Sequence, residues 1–308
     1  MTAWPRVPWP NGARCAACIS WDVDADTLVL HSQPDRGYEL SGGISWLRYD
    51  EVGVARIVEA FGEYGIKQTF FVCAWCIERY PEMCEPIVES GHEIAHHGYT
   101  HEAPNGQTPE RELYELERGI QIIERFTGRR PSGWRAPYAA PSVHSAAYLV
   151  EHGFRYDSSL MSDCVPFLIQ AGGGELVELP IDGAQSDWPH YAHVPDLGYT
   201  QSPKAPATAI EAFRAEFDAA YDLGGLWITI WHPHVSGRPA RLLAWKGLIE
   251  YMLGKGDVWF ATMDEIARHV RSCIDDGTYE PRTVSLPWYE SPPPEFAEAA
   301  RHRRSPGS

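Results

Sequence analysis

The sequence predicts an α/β fold built on a parallel β-sheet, which either closes into a barrel or stays open and doubly wound. Two observations carry this fold class: short apolar runs alternate with stretches whose apolar residues recur at helical spacing, and the connections between them are short. Helical crossovers of this kind join parallel strands. No repeat or internal linker divides the chain, so a single domain is predicted over residues 1–290.

The predicted strands and helices follow one another in order. Each strand is an apolar run flanked by turn residues, and each helix has apolar residues three or four positions apart. Thr108 is suited to cap one helix, and Gly91 and Gly153 are suited to end two others. The predicted strands span 14–22, 66–74, 92–97, 131–137, 154–159, 175–180, 226–231 and 257–262. The predicted helices span 52–64, 82–90, 109–126, 142–152, 207–223, 240–253 and 263–273.

Two segments lack this periodicity. Residues 161–205, apart from the strand predicted at 175–180, are rich in glycine, proline and aromatic residues, and we expect them to form long loops over one end of the domain. Residues 291–308 are expected to form a flexible C-terminal tail.

Charge and composition exclude several classes of partner. The 308-residue chain has 42 acidic against 26 basic side chains, a net charge of −16, whereas nucleic acids and anionic membranes require a basic face. Residues 1–14 contain two tryptophans and three prolines where a signal peptide needs an unbroken apolar run. Nothing later offers the roughly 18 apolar residues of a membrane span. We therefore expect a cytoplasmic protein without nucleic-acid or membrane partners.

The cysteines predict reduced thiols. Seven cysteines, an odd number, are scattered along the chain, which does not suit a disulfide framework. Two C-x-x-C pairs, Cys15/Cys18 and Cys73/Cys76, have the spacing of zinc knuckles, but both lie in or beside apolar stretches. Core packing is therefore the preferred interpretation of these pairs.

Polar side chains follow four of the predicted strands at their C-terminal ends. In a parallel βα barrel these ends open onto one face, which is where active sites are built. The residues are Asp22 and Asp24, His97 and His101, Arg135, and His232 and His234. We expect carboxylates, imidazoles and a guanidinium to meet at this face.

One metal-binding motif has to be tested against its structural context. His92, Glu93 and His96 form H-E-x-x-H, which binds zinc in metalloproteases when it lies on a long helix. Gly91 and Gly98 leave only six residues between them, fewer than two helical turns. In a strand, Glu93 would point away from both histidines, so the motif is interpreted as part of a strand.

A second histidine pair has a more plausible geometry. His97 and His101 flank a short Gly-Tyr-Thr turn at a strand end and could bind one cation together with an aspartate. Two imidazoles and one carboxylate are a sufficient set of protein ligands for catalytic zinc. From spacing alone, a surface loop beside a polar strand end is an equally good interpretation.

These residues resemble the motifs of the polysaccharide deacetylase (NodB homology) superfamily, over about residues 20–266. The family's aspartate pair is similar to Asp22-Val23-Asp24, with one residue inserted, and its H-(S/T)-x-x-H motif is similar to residues 97–101, with Gly98 in place of the hydroxyl residue. Its R-x-P-Y motif is intact at 135–138, and its L-x-L-x-H motif resembles the strand that ends at His232. The resemblance implies a distorted (β/α) barrel.

The resemblance also implies a role for each matching residue. Asp24, His97 and His101 would hold a divalent metal, with Zn²⁺ preferred, and Asp22 would be the catalytic base, held by Arg135. The backbone N–H of Tyr138 would stabilise the oxyanion. His232, rather than His234, would protonate the leaving nitrogen. The expected reaction is hydrolysis of a non-peptide C–N bond.

Further segments resemble one branch of this superfamily, whose members lack export signals. They are DEVGVARIV, GHEIAHHGYTHE, YDSSLM and HPHVSGRPARL. The branch includes a peptidoglycan deacetylase, cyclic imide hydrolases and metal-independent allantoinases, and it implies a homotetramer. Because the aspartate pair lost in the allantoinases is present here, metal dependence is expected. The substrate is then an N-acetyl sugar or peptidoglycan fragment, or else a small cyclic imide or ureide. A third possibility is a catalytically inactive carbohydrate-binding relative.

Overall fold

The computed structural model describes residues 6–296. The strands are β1 (Cys15–Cys18), β2 (Ser20–Val23), β3 (Thr69–Val72), β4 (Glu93–His96), β5 (Gly133–Trp134), β6 (Tyr156–Asp157), β7 (Phe167–Ala171), β8 (Gly174–Glu178), β9 (Leu226–Ile228), β10 (Val258–Phe260) and β11 (Thr283–Ser285). The helices are α1 (Thr27–Ser32), α2 (Ser41–Leu47), α3 (Asp50–Gly62), α4 (Ala74–Arg79), α5 (Pro81–Glu89), α6 (Pro109–Thr127), α7 (Ser145–Glu151), α8 (Trp188–Tyr191), α9 (Pro206–Leu223), α10 (Pro233–Ser236), α11 (Pro239–Gly254) and α12 (Met263–Asp275).

The first apolar run of the chain joins two sheets. β1 lies between β9 and β10, and the three strands are parallel. β2 starts two residues later and opens a second sheet, ordered β2-β3-β4-β5-β6-β8-β7-β11, in which β7 and β8 are antiparallel and the other described pairs are parallel. Trp21 in β2 also pairs in parallel with Trp231, just beyond β9. The run therefore belongs to both sheets and links them in a distorted (β/α) barrel, which confirms the predicted fold class.

The core around this run is aromatic. Trp21 is fully buried, and its ring packs edge-on against Phe61, Trp231 and Trp245. The four cysteines of the two C-x-x-C pairs are also fully buried, in agreement with the expected core packing. Within residues 6–296, no helix combines the length and apolar composition needed to cross a membrane.

Local signals placed the longer elements correctly. Thr108 accepts a hydrogen bond from the Arg111 N–H at the start of α6, and the helix ends at Thr127, directly before Gly128, which has a left-handed φ of 72°. Glu93–His96 is a strand, as expected for the H-E-x-x-H segment. The zinc-protease geometry, which needs a helix there, is therefore absent from this segment.

The interpretation of residues 161–205 as loops is wrong in part. Phe167–Ala171 forms β7, an antiparallel hairpin with β8. Its turn is Gly172-Gly173, with φ of 58° and 82°, a dipeptide that suits tight hairpins. Of the predicted tail at 291–308, residues 297–308 lie outside the described residues.

Gly119 lies where α6 packs on β4, and Gly247 in α11 provides a comparison without such a contact. A Cβ on Gly119 would lie 2.1 Å from His96 Nε2, whereas a Cβ on Gly247 in α11 would meet nothing within 4 Å. We expect Gly119→Ala to lower the free energy of unfolding by about 1–3 kcal/mol, because the methyl group overpacks a buried contact. Gly247→Ala should raise it by about 0.5–1 kcal/mol through helix propensity. Denaturant titration measures both changes, and equal effects at the two sites would contradict this packing.

Candidate metal and catalytic site

The structure brings the seven predicted site residues into one cavity of about 470 Å³. They are Asp22, Asp24, His97, His101, Arg135, Tyr138 and His232. Asp22 lies in β2, and the others come from the segments that follow β2, β4, β5 and β9. The cavity therefore opens at the C-terminal ends of the strands. His234 does not line it, because this side chain is completely buried beneath His232 and hydrogen bonds to Asp50.

Three of these side chains form a cluster that could hold a metal ion. Asp24, His97 and His101 each offer a ligand atom within 4.8 Å of the others. Nε2 of His97 and Nε2 of His101 lie 3.5 and 3.6 Å from Asp24 Oδ1, which is longer than an ordinary hydrogen bond.

The chemistry of this cluster fits a divalent cation. His97 donates its Nδ1–H to the Arg135 carbonyl at 2.8 Å, which leaves the Nε2 lone pair facing Asp24. Burial raises the pKa of Asp24 to about 8, with the Asp22 and Asp50 carboxylates adding to the shift against the opposing effect of His232. A buried carboxylate beside two imidazole nitrogens is a donor set that zinc prefers, and a cation there would favour the ionised form of Asp24.

Asp22 is held differently from Asp24. Its Oδ1 accepts a hydrogen bond from Arg135 Nη1 at 2.7 Å, and both side chains are buried. Burial alone would raise the pKa of Asp22, but Arg135, with His97 and His232, outweighs burial and holds it below its ordinary value. Arg135 is itself fixed by Ser20 and Ser158 and lies over the Phe71 ring. The environment thus pushes the pKa values of two neighbouring carboxyls in opposite directions, as in acid–base sites.

His232 has a buried partner that sequence reasoning missed. Asp187 accepts a hydrogen bond from His232 Nδ1–H at 2.7 Å through Oδ1, and from the His232 backbone N–H and the Ser236 hydroxyl through Oδ2. Burial lowers the pKa of His232, but Asp187, with smaller contributions from Asp24 and Asp22, outweighs burial and raises it to about 9. The free Nε2 faces Asp24 Oδ2 at 3.8 Å. A protonated imidazole therefore points into the cavity.

Tyr138 lies in a strained turn at the cavity edge. Tyr138 and Ala139 have left-handed φ values of 60° and 50°, a conformation that costs residues with a Cβ on the order of 1–3 kcal/mol each. A hydrogen bond from the Ala136 N–H to Ser159 Oγ, at 2.8 Å, fixes the start of this turn. The Tyr138 ring packs edge-on against His101, with 4.5 Å between ring centroids. Strain retained at such a turn is typical of a functional site.

Glu115 is a second residue that sequence reasoning missed. From α6 it accepts hydrogen bonds from the Tyr99 and Thr100 N–H groups at 2.9 and 2.8 Å, and from the Thr100 hydroxyl. It therefore holds the turn between His97 and His101, where Gly98 stands in place of a hydroxyl residue.

The cavity walls above these groups are mostly apolar. They come from α1, from the segments after β5 and β9 and from residues 161–205. The larger apolar and aromatic side chains are Leu28, Tyr138, Met161, Ile181, Trp188, Leu197, Tyr199 and Ile230. Arg135 is the one guanidinium in the lining, and it is already engaged by Asp22.

Comparison with known proteins identifies the chain's relatives. Residues 40–156 match the family model for polysaccharide deacetylase. The chain is 30% identical over 280 residues to the peptidoglycan deacetylase of Helicobacter pylori, covering 81% of this chain and 94% of the relative. A solved protein of Mycobacterium smegmatis assigned to the polysaccharide deacetylases is 40% identical, with a TM-score of 0.87 over 94% of this chain and 100% of that one.

A structural neighbour with another name has the same fold. The Puue allantoinase is 25% identical, with a TM-score of 0.76 over 88% of this chain and 95% of its own. The extent of the match to the H. pylori relative decides the family. The chain belongs to the polysaccharide deacetylase family, whose members are hydrolases of carbon–nitrogen bonds other than peptide bonds.

Proposed function

We propose that this protein is a metal-dependent hydrolase that cleaves the C–N bond of a non-peptide amide. Asp24, His97 and His101 hold a divalent cation, and Zn²⁺ suits this donor set best. The observation that carries the proposal is the meeting of three units at one cavity: the Asp/His/His cluster, the Asp22–Arg135 pair, and His232 with Asp187 buried behind it.

Each residue around the cluster has a chemical task in this proposal. A cation held there would supply Lewis-acid chemistry to activate water and polarise the substrate carbonyl. Asp22, kept ionised by Arg135, accepts a proton from the attacking water. The Tyr138 N–H donates to the carbonyl oxygen as negative charge develops there. His232 then gives its Nε2 proton to the departing nitrogen as the C–N bond breaks, and Asp187 stabilises the imidazolium.

Two substrate classes are supported by different observations. The H. pylori relative is named a peptidoglycan deacetylase, which favours an N-acetyl sugar or peptidoglycan fragment. The apolar walls favour a small uncharged amide, such as a cyclic imide or ureide, because a sugar polymer needs many hydrogen-bonding groups along an open groove. The allantoinase neighbour is consistent with the second class. An inactive carbohydrate-binding protein is disfavoured, because competent side chains occupy every expected catalytic position.

The proposal is tested by metal removal and a substrate panel. The protein stripped with a chelator should lose turnover, and stoichiometric Zn²⁺ should restore it. The panel contains N-acetylglucosamine oligomers, succinimide-type imides and allantoin, each assayed for product by mass spectrometry. Full activity after complete metal removal would overturn the metal-dependent scheme. The homotetramer and the cytoplasmic location stay predictions. Analytical sedimentation would measure the oligomeric state, and cell fractionation would measure the location.

A further inference from the structure

A second aspartate–histidine pair lies behind the site and has no part in the proposed reaction. His234 donates its Nδ1–H to Asp50 Oδ1 at 2.9 Å, since a carboxylate oxygen can only accept. Both side chains are completely buried. The other ring nitrogen, His234 Nε2, has no hydrogen-bond partner among the described residues. Burying an ionisable pair with an unpartnered nitrogen is costly, which calls for a reason beyond packing.

The pair connects to the site through the residue after Asp24. The second carboxylate oxygen, Asp50 Oδ2, accepts a hydrogen bond from the Ala25 N–H at 2.8 Å. Ala25 has a left-handed φ of 44°, a conformation that residues with a Cβ avoid. Asp50 therefore holds a strained peptide next to a predicted metal ligand. Without that hydrogen bond the turn could relax to ordinary dihedral angles, and the Asp24 carboxylate would move with it.

The position of Asp50 is itself fixed by close helix packing. Asp50 begins α3, and His234 is the second residue of α10, the short helix that starts directly after His232. A Cβ on Gly53 would lie 2.7 Å from the Pro233 carbonyl oxygen, so α3 and α10 approach as closely as their backbones allow. The His234 ring packs edge-on against the Trp46 ring, with centroids 5.1 Å apart. These contacts leave Asp50 little freedom, which a positioning group requires.

We propose that Asp50, braced by His234, is a positioning residue that fixes the Asp24–Ala25 turn in the conformation that binds metal. This inference rests on the proposed metal site and assigns it a supporting pair to which none of the matching motifs gives a role. The hydrogen bond, rather than the charge of Asp50, is the active feature. Asparagine can replace it, because its oxygen can accept from Ala25 N–H while its amide donates to His234 Nδ1 in the other tautomer.

The test compares Asp50→Ala with Asp50→Asn in the full-length protein. Zn²⁺ affinity is measured by chelator competition, and the site geometry by the visible spectrum of the Co²⁺-loaded protein. Asp50→Ala should weaken Zn²⁺ binding about 10- to 100-fold, as loss of groups that orient metal ligands typically does, and should change the cobalt spectrum. Asp50→Asn should stay close to wild type in both measurements.

Glu93→Ala is the matched control. Glu93 is also a carboxylate with partly buried hydrogen bonds, from the Thr69 and Tyr156 hydroxyls, but it begins β4 at the end of the strand away from the site. The Glu93→Ala protein should be less stable than the wild type, but its zinc affinity and cobalt spectrum should be unchanged. If Asp50→Ala does not fold, Asp50→Ser carries the same test, since its shorter side chain does not reach the Ala25 N–H.

The outcomes separate this inference from the proposed function. A wild-type protein that binds Zn²⁺ and an Asp50→Ala protein that binds it equally well, with the same cobalt spectrum, would overturn the positioning role alone. Equal losses in Asp50→Asn and Asp50→Ala would also overturn it, because charge would then be the active feature. A wild-type protein without zinc affinity would overturn both the inference and the metal site.

Discussion

Asp22→Asn should lower kcat about 10²–10⁴-fold while Zn²⁺ binding stays normal, which is the range expected when a general base is lost. Asparagine has nearly the same shape and can still accept a hydrogen bond from Arg135, which lies 2.7 Å from Asp22 Oδ1. It cannot take a proton from water at any accessible pH. Turnover of the best substrate in the panel, together with the zinc content of the purified protein, measures the two effects separately.

Asp26→Asn is the control for this substitution. Asp26 is a buried carboxylate four residues further along the chain, but it hydrogen bonds to the Tyr80 hydroxyl and does not line the cavity. It should keep the wild-type kcat. An Asp22→Asn protein that contains zinc and turns over at the full rate would remove Asp22 from the role of base.

The long elements could be predicted because their signals are local. α6 has a capping threonine and a terminal glycine, and its observed bounds, Pro109–Thr127, differ by one residue from the predicted end. The missed helices α1, α2 and α4 have at most seven residues each, too few for periodicity to show. α2 even contains Gly42-Gly43, against helix propensity, and its Leu47 is buried in a small cluster with Leu28 and Val29. Tertiary packing, which a sequence does not display, decides these short helices.

The candidate site also contains residues that could be predicted from the sequence and residues that could not. The residues that face the cavity lie at or just after strand ends, so strand prediction and the parallel arrangement together place them. Glu115, Asp187 and Asp50 act through partners between 15 and 184 residues away, and no local sequence pattern assigns them a role. Asp187 also lies in the segment predicted to be loops, where no periodicity fixes a side chain's direction. Their roles follow from three-dimensional pairing alone.

Asp187→Asn should lower kcat about 10²-fold or more, because it removes the charge that keeps His232 protonated. With Asp187 present, the pKa of His232 is raised to about 9 against the effect of burial. With asparagine, only Asp24 and Asp22 still oppose burial, so the pKa of His232 falls and a smaller fraction of the imidazole carries a proton to donate at neutral pH. Activity that depends on an acid is present below the pKa of that acid and is lost as pH rises through it.

The pH dependence of kcat separates this effect from a general loss of structure. The wild-type rate should fall on the alkaline side, at or somewhat below pH 9, since a bound cation beside Asp24 also lowers the pKa of His232. In Asp187→Asn the same fall should occur at lower pH, with the residual rate increasing as the solution is acidified towards the range where Asp22 begins to protonate. Asp182→Asn, an exposed aspartate that caps a 3-10 helix in the same segment, should leave the profile unchanged. An Asp187→Asn profile that coincides with the wild type would mean that His232 acts without the charge of its partner, and the assignment of the proton donor would then have to move to another group.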